Sequence, residues 1–112
     1  MTEARVALVT GSARGMGRAM CEVLAEAGVR VVGLDRLEQD RGPLERVVSA
    51  DLIDPAVPRQ VVDEVVATEG RLDILVNNAA ILLWQHPLPE VTPDDWELQI
   101  GVNLRAVFFL SQ

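Results

Sequence analysis

Four short apolar runs divide the first two thirds of the chain, and the segments between them carry apolar residues at every third or fourth position. The run at 5–10 ends at Gly11 and has the unbroken hydrophobicity of a strand covered on both faces. Between 16 and 27, Met16, Met20, Val23, Leu24 and Ala27 recur at helical spacing, and Gly28 supplies a stop. A second buried strand is expected at 29–34 and a brief third at 47–50. The charged 36–46 segment between them contains Gly42-Pro43, which favours a loop or at most a short helix. A second helix is expected at 55–69 on Val57, Val61, Val62, Val65 and Val66, with Gly70 as its stop, and a fourth strand at 72–76. Pro87, Pro89 and Pro93 argue against regular structure in the next stretch. Thr92-Pro93-Asp94-Asp95 then marks a helix start, with Thr92 as N-cap, Pro93 at the first position and two carboxylates at the positive end of the dipole. That helix is expected to bury Trp96, Ile100, Leu104, Val107 and Phe108, and to run on to Gln112.

Strands alternating with helices imply an α/β fold with a parallel sheet and right-handed crossovers. A length of 112 residues suits one such unit and not two. The net charge of −7 argues against a nucleic-acid surface, which needs a basic excess to neutralise phosphates. The acidic residues are scattered over expected helices and loops, so they read as solvated faces. No apolar stretch reaches the ~20 residues needed to cross a bilayer, and the N-terminus lacks the apolar core of a signal peptide. A membrane partner is therefore not expected. A lone cysteine, Cys21, makes no internal disulfide and is expected to pack in the core, which fits a reducing, cytoplasmic setting.

The chemistry-bearing pattern is Gly11-x3-Gly15-x-Gly17 between the first strand and the first helix. Glycines there allow a tight turn and close approach of backbone to a pyrophosphate, and the helix that follows offers free N–H groups and a positive dipole end. Asp35 closes the second strand, where dinucleotide-binding folds place a carboxylate that accepts from the adenosine ribose and repels a 2′-phosphate. NAD is thus expected ahead of NADP. Arg14 and Arg36 oppose this, since either guanidinium could pair with a 2′-phosphate, although each also reads as a solvated surface residue. His86, beside Trp84 in the Pro-containing stretch, has no carboxylate or cysteine pattern near it and is expected to be exposed. No metal is expected. On the final helix Asn103 puts an amide on the expected apolar stripe, where it must find partners among neighbouring backbone or serve a site.

Together, the Thr10-Gly11-x3-Gly15-x-Gly17 loop, Asp51-Leu52, Asn77-Asn78-Ala79-Ala80 and Asn103 resemble the short-chain dehydrogenases/reductases, and the resemblance covers the whole chain. It implies a Rossmann-type doubly wound parallel sheet with strand order 3-2-1-4, cut off after the helix that follows the fourth strand. Residues 1–112 would be the NAD(P)-binding, N-terminal part of a larger single-domain enzyme. By the same resemblance Ser12, Arg14 and Met16 line the phosphate loop, Asp35 holds the ribose, Asp51 accepts from the adenine amino group and the Leu52 backbone lies beside the ring. Asn77 would brace the central sheet, while Asn78 and Ala79 border the cofactor. Ala80 stands where the family usually has glycine, a departure that strains the chain only if φ there is positive.

Asn103 matches the asparagine of the family's catalytic tetrad, which helps to hold a proton-relaying water. The tetrad's serine, tyrosine and lysine lie further along in the family. This sequence has no tyrosine and no lysine, and Ser111 follows Asn103 too closely to match the catalytic serine. The expected activity is hydride transfer between a nicotinamide and a small carbonyl or alcohol substrate. The alternative is a non-catalytic nucleotide-binding or interaction module. An apolar fourth strand at an open edge and the run Val107-Phe108-Phe109-Leu110 lead us to expect a chain that forms homo-oligomers or is only partly folded by itself.

Overall fold

The computed structural model describes residues 3–82 and 87–112; Trp84 and His86 lie outside the described residues. Four parallel strands, β1 (Val6–Thr10), β2 (Arg30–Asp35), β3 (Arg46–Ser49) and β4 (Ile74–Val76), form one sheet in the order β3-β2-β1-β4. In register, Val6 faces Arg30 and Thr10 faces Leu34, Ala7 faces Ile74, and Val32 faces Arg46. Helices α1 (Gly15–Glu26) and α2 (Val57–Glu69) are the crossovers. The chain then passes through α3 (Pro93–Ile100), a π-helical turn at Gly101–Arg105 and α4 (Ala106–Ser111). This is the doubly wound, Rossmann-type α/β arrangement.

Every residue of β1 is buried, because its alternate side chains serve two cores. Val6 and Leu8 pack with Val61 and Val65 of α2 and with Ala106 and Leu110 of α4. Val9 joins Cys21 of α1 and Leu44 on the opposite face. Burying each Val or Leu contributes about 1.5–3 kcal/mol, so the two-faced strand anchors both layers. Cys21 is fully buried, as expected, and burial pushes its thiol pKa up. Among the described residues no helix is long and apolar enough to cross a membrane.

Element ends differ from expectation where side chains replace backbone partners. Strand β4 begins at Ile74 and not at Leu72, because the Asp73 carboxylate accepts from the Val6 N–H at 2.8 Å while the Asp73 N–H donates to the Val6 carbonyl. Helix α2 starts at Val57, since Asp54 accepts from Ala56 N–H through its side chain and from Val57 N–H through its carbonyl. Leu88–Glu90 forms a short 3₁₀ turn within the proline-containing stretch, contrary to the expected absence of regular structure. Pro89 is tolerated because the first N–H groups of a helical turn have no partner to lose. Thr92 caps α3 as read, with Asp95 returning the bond in a capping box.

The largest correction concerns the final helical segment. Trp96, Leu104 and Phe108 are each about 60% exposed, and the buried side chains are Val102, Ala106 and Leu110. These recur every fourth position, two places along from the expected row, because it is their face that meets Val61 and Val65 of α2, whereas α3 buries none of its residues.

Candidate functional site

The carboxyl ends of β1, β2 and β3 and the loop after β4 open into a cleft of about 310 Å³. Its centre is the turn after β1. Gly11 and Gly15 hold φ of 69° and 61°, and the Gly11 N–H donates to the Leu34 carbonyl at 2.8 Å, tying the loop to β2. A Cβ on Gly17 would stand 2.0 Å from the Gly11 carbonyl oxygen, so this glycine is what lets α1 sit against the turn. A Cβ on Gly15 would meet nothing within 4 Å. The backbone at Gly15 therefore borders open space, and the first N–H groups of α1 have no intrahelical partner.

Asp35 joins two walls of the cleft. One carboxylate oxygen accepts from Ala13 N–H at 3.0 Å and the other from Leu37 N–H at 3.0 Å. Arg14 and Arg36, both exposed, line the same cleft and form no salt bridge among the described residues. Asp51 accepts from Ile53 N–H through Oδ1, and Leu52, only 5% exposed, gives the wall an apolar surface. On the far side of β1, Asn78, Ala79 and Ala80 complete the lining. No non-glycine residue among those described has positive φ, so alanine at position 80 is unstrained.

Three expected site residues stand elsewhere. The Ser12 side chain is buried and hydrogen-bonded to the Gln39 amide, pointing inward toward β2. Met16 is 74% exposed and Gly17 is buried beneath the turn, and neither lines the cleft. The Asn77 amide reaches toward Ser111 Oγ of α4 at 3.5 Å. Asn78 braces the phosphate turn, its Nδ2 donating to the Gly11 carbonyl at 3.2 Å.

Thr10, to which the resemblance gave no role of its own, is a hub. Its hydroxyl accepts from the N–H groups of Asn78 and Ala79 at 3.1 and 3.0 Å, which locks the loop after β4 to the end of β1. A hydroxyl closing a wholly apolar strand was the available signal, since a buried polar group must be paired. Val102 of the π turn also lines the cleft. Asn103, exposed on that turn, pairs with one residue twice: Oδ1 accepts from Ile81 N–H and Nδ2 donates to the Ile81 carbonyl, both at 2.7 Å. The amide is thus satisfied by neighbouring backbone.

A doubly wound parallel sheet, with a glycine turn feeding a helix and an acidic residue at the end of β2, defines an NAD(P)-binding Rossmann fold. The family model described as short chain dehydrogenase matches residues 5–112. The chain belongs to the short-chain dehydrogenase family, whose members are oxidoreductases. It is 40% identical to L-xylulose reductase of Bos taurus over 114 residues, covering 96% of this chain and 45% of that protein. A metagenomic short-chain oxidoreductase in complex with NADP superimposes with a TM-score of 0.84 at 34% identity, covering 95% of this chain and 52% of that one. For 4-hydroxyisoleucine dehydrogenase complexed with NADH the TM-score is 0.83 at 27% identity, covering 96% and 46%. The chain spans about half the length of the curated relatives it matches.

Proposed function

We propose that the cleft binds NAD(H) in preference to NADP(H), and that the chain is the cofactor-binding part of an oxidoreductase moving a hydride between the nicotinamide and a small carbonyl or alcohol. The observation that carries this reading is Asp35, a carboxylate held at the end of β2 by two backbone amides and facing the cleft beside the glycine turn. The residues fit such a ligand. The open space at Gly15 leaves room for a pyrophosphate against the loop backbone, beside Gly11 and Arg14 and the first turn of α1.

When bound, the cofactor supplies the hydride chemistry and the protein supplies orientation. Asp35 accepts from the adenosine ribose and disfavours a 2′-phosphate by charge, while Arg14 and Arg36 stay solvated. Asp51 would hold the adenine amino group, and Leu52 would cover the ring. Asn78, Ala79 and Ala80 border the nicotinamide side. Asn103 retains one amide proton beyond its pairing with Ile81, which serves to hold a water for proton relay. A cytoplasmic setting belongs to the same reading.

Titration of the chain with NADH and NADPH tests the preference. NADH is expected to bind about tenfold more tightly, a difference of about 1.4 kcal/mol, and Asp35→Ala to narrow that gap. Equal affinity of the unaltered chain for the two cofactors would remove Asp35 as the selector. A second reading, a nucleotide-binding module without turnover, applies to the 112 residues taken by themselves, which contain no tyrosine and no lysine to move the proton. It predicts cofactor binding with no steady-state reduction across a panel of carbonyl substrates. A rate above cofactor background that disappears in Asn103→Ala would reject it.

A further inference from the structure

We propose that the π turn Gly101–Arg105 is a two-armed clamp and that Arg105 is the positioning residue for the adenine-side wall of the cleft, an inference that rests on the dinucleotide reading above. The two loops it joins follow β3 and β4, the opposite edges of the four-stranded order, some three interstrand spacings of about 4.8 Å apart. The ladders through β2 and β1 space the strands, but no backbone hydrogen bond among the described residues joins the two loops themselves. Side chains of one turn do so instead. Asn103 grips both backbone groups of Ile81, and Arg105 Nη2 donates to the Ile53 carbonyl.

Arg105 forms no salt bridge among the described residues, so its charge-assisted donation goes to that carbonyl. The fit between turn and loop is close, since a Cβ on Gly101 would stand 2.5 Å from Ile53 Cδ1 and 3.1 Å from Arg105 Nη2. Val102, between the arms, is 5% exposed and faces the cleft. The 51–56 loop is otherwise held by Leu52, buried in the core cluster of Val6 and Leu8, and by its own aspartates, with Asp51 and Asp54 accepting from amides two residues on. Those bonds shape the loop locally, and Arg105 sets where it stands relative to β4.

The test uses AMP as the probe of the adenine side, with Arg105→Leu, Arg105→Lys, Phe108→Ser and Asn103→Ala in the full chain. Losing a charge-assisted bond in Arg105→Leu is expected to weaken AMP binding about tenfold, Arg105→Lys to recover most of it, and Phe108→Ser, at an exposed position of α4, to stay within about twofold of the parent. Amide hydrogen exchange reads the clamp without any ligand. Arg105→Leu is expected to speed exchange across 51–56 and spare 79–82, and Asn103→Ala to do the reverse. Equal weakening of AMP by Arg105→Leu and Phe108→Ser, or unchanged AMP binding in Arg105→Leu, overturns the proposal. If the parent chain binds no AMP, the dinucleotide reading fails, and the exchange pattern alone then decides the clamp. Exchange altered equally in both segments, or in neither, rejects it.

Discussion

At the scale of single residues, glycines and one aspartate make separable predictions. Gly17→Ala places a methyl 2.0 Å from a backbone carbonyl oxygen and 2.5 Å from Asn78 Nδ2, so the turn or α1 must shift. Overpacking of this kind costs about 1–3 kcal/mol, and it should lower cofactor affinity together with the thermal midpoint. Gly15→Ala meets no neighbour but forces a side chain onto φ 61°, at roughly 1–2 kcal/mol. Cofactor titration beside thermal unfolding separates the two, with Gly17→Ala expected to lose more binding.

Asp73 lies at the other end of the sheet, where the Arg71 guanidinium and the Val6 amide hold its carboxyl below the usual carboxylate range. Arg71 is correspondingly raised, chiefly by its hydrogen bond to Asp73. A depressed folded pKa means that the stabilisation is complete above the unfolded value near 3.9 and is lost as pH falls through the folded value. Asp73→Asn should therefore lower stability at neutral pH and flatten the acid limb below about pH 4. Urea unfolding at several pH values would measure this, and an unchanged acid limb would count against a stabilising role for the Asp73 carboxylate.

At the scale of elements, the last helical segment separates periodicity from packing. Phe108 belongs to the stripe that sequence spacing marks for burial, yet it is 62% exposed, whereas Leu110 is 4% exposed against α2. Leu110→Ala is accordingly expected to cost about 2 kcal/mol or more, through lost transfer energy and a cavity. Phe108→Ser should change stability by no more than about 0.5 kcal/mol, as a surface substitution does. Denaturant midpoints for the pair provide the check, and a larger loss at Phe108 would restore the expected stripe.

At the scale of the whole molecule, β4 pairs only with β1 among the described residues, and its side chains are Ile74, Leu75 and Val76. Trp96, Leu104, Phe108 and Phe109 add exposed apolar area on the final helices. An apolar edge without charge or proline is a template for pairing with another chain, and each such side chain left in water forfeits roughly 1.5–3 kcal/mol. The 112-residue chain by itself is therefore expected to self-associate at high micromolar concentration. Sedimentation and thermal unfolding test this, and a clean monomer with a sharp transition would refute it.

The order of elements, the two-faced burial of β1, the glycine turn and the Thr92 N-cap of α3 were all legible in the sequence. Each depends on interactions within a few residues or on a hydrophobic period that holds over a whole element. Tertiary structure decided the rest. Which asparagine braces the phosphate turn depends on the register of β4 against β1, which turns Asn78 toward Gly11 and Asn77 toward Ser111. The inward turn of Ser12 depends on Gln39, 27 positions away. The buried face of the last helix depends on its packing against Val61 and Val65 of α2, and the side chains of its π turn reach Ile53 and Ile81, partners 52 and 22 positions distant in the chain. Local spacing carries no information about such contacts, because they exist only once the crossovers have brought the loops after β3 and β4 to one end of the sheet.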